Sequence, residues 1–135
     1  MSASLAYDDA AKAIDWLCRA FGFEVQLKVE AEGGKIAHSE LVLGGALITL
    51  GDAKDGERTW RKSPKHLGGA NTSSLCFYID DVDAHCERSR KAGATIAAEP
   101  KTTDYGEDYW TDRSYEAVDH EGHHWWFMQR LREQK

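Results

Sequence analysis

Asp8-Asp9-Ala10-Ala11-Lys12-Ala13-Ile14-Asp15-Trp16-Leu17-Cys18-Arg19-Ala20-Phe21-Gly22 reads as one amphipathic helix with both of its ends marked. Asp9 offers an N-cap, because its carboxylate can accept from first-turn N–H groups that have no partner inside the helix. Ala10, Ala13, Ile14, Leu17, Cys18 and Phe21 recur at helical spacing as a single apolar stripe, with Trp16 at its edge. Gly22 supplies the left-handed stop. The same grammar returns downstream. Asp80-Asp81 opens a second helix, Val82, Cys86 and Ser89 mark a thinner stripe, and Gly93 closes it. Glu87 and Lys91 stand at the favourable i, i+4 spacing, and Arg90 and Lys91 occupy the last turn, where cations suit the helix dipole.

Strand signals flank both helices. In the first half a short strand falls within Ser2–Tyr7, followed after the helix by Phe23–Glu30, the turn Gly33-Gly34, Ile36–Leu43, the turn Gly44-Gly45, and Ala46–Leu50. The second half offers Ser74–Ile79 before its helix and Thr95–Ala98 after it. Arg113–Val118, the turn Asp119-His120-Glu121-Gly122 and His123–Gln129 complete it. Both halves read strand, helix, then three strands. Asp9 to Gly22 spans nearly the same length as Asp81 to Gly93, Ala13 and Ala84 sit four and three residues after their aspartates, and each half ends in a glycine turn before an apolar strand. Internal similarity of this kind outweighs any single motif. The expected organisation is α+β: two tandem βαβββ modules forming a curved mixed sheet around a cleft. They make a single domain over residues 1–135, with module 1 about 1–51, a charged aperiodic linker about 52–70, and module 2 about 71–130.

Composition narrows the function classes. The chain has 135 residues, 41% hydrophobic and 30% charged, an ordinary globular balance that argues against disorder. Its 17 basic and 23 acidic residues give a net charge of −6 without long charge blocks, which argues against a nucleic-acid partner needing a basic stripe. No stretch approaches the ~20 apolar residues of a membrane span, and the N-terminus shows no basic-then-apolar leader. Cys18, Cys76 and Cys86 are an odd number without CxxC spacing, which fits a reducing cytoplasm better than a disulfide scaffold or zinc finger.

The duplicated order resembles the vicinal oxygen chelate superfamily, the fold of glyoxalase I, extradiol dioxygenases, fosfomycin-resistance enzymes and bleomycin-resistance proteins. Three stretches carry the resemblance: Asp8-Asp9 through Phe23-Glu24, Phe77-Tyr78-Ile79-Asp80-Asp81-Val82, and Asp112 through Trp125, whose Asp119-His120-Glu121-Gly122 looks like the superfamily's acidic-Pro-x-Gly turn with His120 in place of proline. The resemblance implies small-molecule chemistry or binding, and a homodimer whose partner subunit completes the cleft. In catalytic relatives each module gives His and Glu ligands to a divalent metal, nickel, zinc, iron or manganese, which polarises the substrate's vicinal oxygens. Carried over one at a time, the ligand positions fall near Ser2 and on Thr49, Ser74 and Trp126, none of them a metal ligand. A slip of one residue would not restore the pattern, because strand neighbours face opposite sides. A two-residue slip on the last strand would bring in only His124.

No cofactor is therefore expected. Strand alternation gives Ser74, Cys76 and Tyr78, then His124, Trp126 and Met128, to the cavity face together with Thr49, and leaves Leu75, Phe77, Trp125 and Phe127 for the helix side. The loop around Tyr105, Tyr109 and Trp110 adds three aromatics and acidic groups, readable as a lid favouring an aromatic or cationic ligand. The first reading is a metal-independent small-molecule binding protein, of the drug-sequestering type. A second is a metal-dependent lyase or dioxygenase with relocated ligands His38, Glu40 and His124. A third is a metal-free acid–base enzyme using His124 or Tyr78. No serine elbow or phosphate loop occurs, and His85-Cys86, neighbours on a helix, point ~100° apart and cannot form a dyad.

Overall fold

Asp9 caps helix α1 (Ala10–Phe21) with its Oδ1 accepting from the Lys12 N–H at 3.1 Å, and Gly22 ends it in the left-handed region at φ 85°. Asp81 does the same for helix α2 (Val82–Lys91), accepting from Ala84 N–H at 3.1 Å, with Ala92 at the C-cap and Gly93 turning away at φ 95°. This is a computed structural model, and it describes residues 1–53 and 59–135. Residues 54–58 of the expected linker lie outside the described residues. The chain divides into two compact units, Met1–Ala70 and Asn71–Lys135.

In the first unit, β1 (Ala3–Tyr7), β2 (Glu24–Glu30), β3 (Ile36–Leu43) and β4 (Ala46–Asp52) form one sheet in the order β1-β4-β3-β2. β1 runs parallel to β4, and the other pairs are antiparallel. In the second unit, β5 (Leu75–Tyr78), β6 (Thr95–Asp104), β7 (Thr111–Val118) and β8 (His124–Arg132) repeat that plan as β5-β8-β7-β6, with β5 parallel to β8. Each is a four-stranded mixed sheet with its own helix on one face, the expected α+β pattern. A matching detail ties helix to sheet. The first helical N–H of α1, on Ala10, donates to Asp52 Oδ1 at 3.2 Å, and that of α2, on Val82, donates to Gln129 Oε1 at 3.1 Å. Asp52 also accepts from Ile36 N–H at 2.7 Å.

The elements depart from expectation in two places. Thr95–Ala98 is only the start of β6, which runs to Asp104 through Pro100. Pairing with β7 shifts between Ala98 and Lys101, so the proline sits where no ladder N–H is needed. The linker contains a 3₁₀ turn, Pro64–Leu67, and a second one, Glu32–Gly34, occupies the Gly33-Gly34 turn. Trp16 stands at the edge of the α1 stripe, as its spacing implies. It is buried and packs edge-on against Phe21, ring centroids 5.0 Å apart.

Between α2 and its sheet lies an aromatic core. Trp125, Tyr115 and Phe127 are fully buried, each such ring contributing about 2–3 kcal/mol by burial. Phe77 stacks on Trp125 at 5.9 Å and on Phe127 at 5.8 Å. Tyr115 hydroxyl meets His85 Nδ1 at 2.6 Å and Ser89 Oγ at 2.8 Å, so its polar end is satisfied. Burial pushes the Tyr115 phenol well above its usual pKa. The turn before β8 is held by Asp119, whose Oδ1 accepts from Glu121 and His123 N–H at 2.9 and 3.1 Å and whose Oδ2 accepts from Trp125 Nε1–H at 3.0 Å.

Candidate ligand-binding face

Trp125 and Trp126 are sequence neighbours on β8 and therefore point to opposite sides of it. Trp125 belongs to the core just described. Trp126 faces away from α2, level with Cys76 on β5 and Glu116 on β7. The same register puts His124 beside Val118, and Met128 between Tyr78 and Ser114. The second sheet thus brings Cys76, Tyr78, His124, Trp126 and Met128 onto one face, while Ser74 lies just before β5 and is exposed. Thr49 belongs to the first unit, where it pairs with Ser4 and Glu40 on the corresponding face. Thr49 and Trp126 are equivalent positions, each three residues before the side chain that caps its unit's helix.

Polar groups on this face differ in how they are engaged. His124 Nδ1 meets Glu116 Oε1 at 2.5 Å, with the imidazole 34% exposed and the glutamate 18%. Among the described residues, His124 Nε2, the second Glu116 oxygen and the Trp126 indole N–H have no hydrogen-bond partner, and the Trp126 ring contacts no other ring. Tyr78 is committed: its hydroxyl donates to Asp112 Oδ2 at 3.0 Å and accepts from Arg130. Burial, then the Asp112 carboxylate, pushes the Tyr78 phenol above its usual pKa against the lowering effect of Arg130, so it is poorly suited to act as a base.

Arg130 changes the reading of the aromatic loop. Its Nε donates to Asp112 Oδ1 at 2.5 Å, and its guanidinium lies 4.9 Å from the Tyr78 ring centroid and 5.1 Å from that of Trp110. The cation over Trp110 is thus supplied by the chain itself rather than left for a ligand. The loop is also tied down. Arg132 donates to Asp104 Oδ1 at 2.8 Å, Gly106 O at 3.0 Å and Tyr109 O at 3.1 Å, and Tyr105 N–H bonds Trp110 O at 3.0 Å. Beside Arg130, an open recess of about 270 Å³ is lined by Tyr78, Ile79, Asp80, Gln129 and Arg130.

The relocated-metal set divides between the units. His38 Nε2 lies 3.3 Å from Glu40 Oε1, and Gln26 donates to the other Glu40 oxygen at 2.8 Å. The Gln26 bond, then His38, holds the Glu40 carboxyl below its usual pKa. His124 sits in the second unit, committed at Nδ1 to Glu116. No group of three or more His, Cys, Asp or Glu that could hold a metal ion occurs among the described residues. On the two parallel strand pairs, this face carries Ser4, Leu47 and Thr49 in one unit and Cys76, Tyr78, His124, Trp126 and Met128 in the other. Glu40 and Glu116 lie on the neighbouring strands of these faces, each already bonded to a histidine, so within either unit the donors are one imidazole and one carboxylate, which does not fit the three or four His and Glu ligands of catalytic relatives. In the linker, His66 bonds Asp8 Oδ2 at 2.5 Å while half of its side chain stays exposed.

Sequence reasoning did not single out Glu116, Asp112 or Arg130 for the site. Alternation continued two residues beyond Met128 finds Arg130. The tight turn at Asp119–Gly122 sets the β7–β8 register that puts Glu116 opposite Trp126.

A profile of the Glyoxalase/Bleomycin resistance protein/Dioxygenase superfamily matches residues 2–127. An uncharacterized protein of Mycobacterium bovis, Mb0911c, is 34% identical over 98% of this chain and 84% of its own length. Among solved structures, TioX from Micromonospora sp. ML1 superposes with a TM-score of 0.74 at 32% identity, covering 97% of this chain and 98% of that one. The fosfomycin resistance protein FosX from Listeria monocytogenes, at 17% identity, shares the fold with a TM-score of 0.65 over 96% of this chain and 90% of its own.

Proposed function

The chain belongs to the Glyoxalase/Bleomycin resistance protein/Dioxygenase superfamily, and we propose that within it this protein is a metal-independent, ligand-sequestering binder of small planar molecules. The observation that carries this reading is Trp126: a half-buried indole with neither a ring neighbour nor a hydrogen bond among the described residues, while its neighbour Trp125 is fully packed on the opposite face of the sheet. A large aromatic side chain left without partners is suited to stacking a flat ligand, with Cys76 and Met128 as soft apolar neighbours. Ser74, Tyr78 and Trp110 complete the proposed lining on the second unit, Thr49 holds the equivalent position to Trp126 on the first, and a homodimer is the proposed assembly. The donor chemistry at the family's ligand positions supports binding without a metal. The test is calorimetric titration of planar bicyclic compounds into protein pretreated with chelator. Binding that survives chelator and weakens about tenfold or more in Trp126→Ala supports the reading. Binding that appears only after adding nickel, zinc, iron or manganese overturns it.

A further inference from the structure

We infer that Glu116 positions His124 as the polar recognition point beside Trp126, so that the preferred ligand is a hydroxyarene, a flat aromatic carrying a ring hydroxyl. This deepens the binding reading above and rests on it. Nδ1 of His124 lies 2.5 Å from Glu116 Oε1. An ionised carboxylate only accepts, so the hydrogen in that contact is on Nδ1, and Nε2 is the nitrogen left for a ligand. No other group engages Nε2 among the described residues, and the ring keeps 34% of its side-chain surface exposed. Glu116 stands directly across from Trp126, so the pinned imidazole and the unpartnered indole share one short stretch of the same face. A hydroxyl both donates and accepts. It can bond Nε2 whether that nitrogen carries a lone pair or a proton, whereas a bare hydrocarbon ring satisfies only the indole. Glu116 does not touch the ligand in this arrangement. It fixes which nitrogen points outward, as a carboxylate does behind many functional histidines.

The experiment compares 2-naphthol with naphthalene on the full chain by calorimetry, alongside long-range proton–nitrogen correlation spectra of the histidine rings. The expected result is that 2-naphthol binds about tenfold tighter than naphthalene, the size of one well-made hydrogen bond. His124→Phe should remove that advantage, so that 2-naphthol and naphthalene bind with equal affinity, and Glu116→Gln should reduce it. In the wild-type spectra, Nδ1 of His124 carries the proton, and 2-naphthol shifts the Nε2 resonance while naphthalene does not. Equal binding of the two compounds, or a perturbation confined to Nδ1, overturns the inference and leaves stacking on Trp126 intact. Loss of both compounds' binding in wild type overturns the inference together with the reading it rests on. The spectra of unliganded protein add an independent check: a His124 ring protonated on Nε2 alone contradicts the positioning role whatever binds.

Discussion

At the scale of single residues, two carboxylates make the sharpest predictions. Asp119 satisfies two backbone N–H groups and the indole N–H of a fully buried tryptophan. Asp119→Ala removes the carboxylate that accepts from these three buried donors and is expected to cost about 3–5 kcal/mol in urea unfolding. Asp8 is gentler. Burial pushes its carboxyl up, but the bonds from His66 and Lys65 outweigh that and hold it below its ordinary 3.8. A lowered acid stabilises the fold fully above its ordinary value and loses that contribution as pH falls through the folded one. Wild type should therefore exceed Asp8→Asn by about 1 kcal/mol or less at neutral pH, and the gap should close as acid unfolding is followed below pH 3.8. The candidate site was only half legible. Alternation alone put Trp126, His124 and Met128 on one face, because a strand has two sides. It said nothing of Glu116 or Arg130, whose roles depend on which residue of the neighbouring strand lies opposite.

At the scale of elements, the helices were legible nearly to the residue, because caps and stops are local chemistry. Asp9, Gly22 and Asp81 do what their types and positions imply. Strand ends were less legible. β6 passes through a proline, since the register shift there removes the requirement for a ladder hydrogen bond, and that shift is a property of the pair rather than of the segment. The side chains that reach from the last strand of each unit to the first N–H of its helix, Asp52 and Gln129, were not foreseen either. They join groups 42 and 47 residues apart. Asp52 serves two N–H donors and Gln129 one to a helix start, so Asp52→Ala is expected to cost about 2 kcal/mol and Gln129→Ala about 1 kcal/mol in equilibrium unfolding.

At the scale of the whole molecule, the superfamily's shared fold does not fix its chemistry. The positions to which the family resemblance assigns metal ligands fall near Ser2 and on Thr49, Ser74 and Trp126, so the expected outcome of plasma mass spectrometry is far less than one nickel, zinc, iron or manganese per chain after incubation and desalting. Thermal midpoints with and without chelator should agree. A tight stoichiometric ion would return the protein to the metal-dependent branch of its superfamily.

The adjacency of Trp125 and Trp126 has an optical consequence. One indole is sealed in the core and hydrogen-bonded to Asp119, while its neighbour looks out from the opposite side of the strand without a partner. A neutral collisional quencher should reach the outward chromophore and spare the sealed one. With Trp60, exposed at 79%, and the half-buried Trp110 replaced by phenylalanine, a docked flat molecule should darken the quenchable component of emission and leave the protected component as a built-in intensity standard.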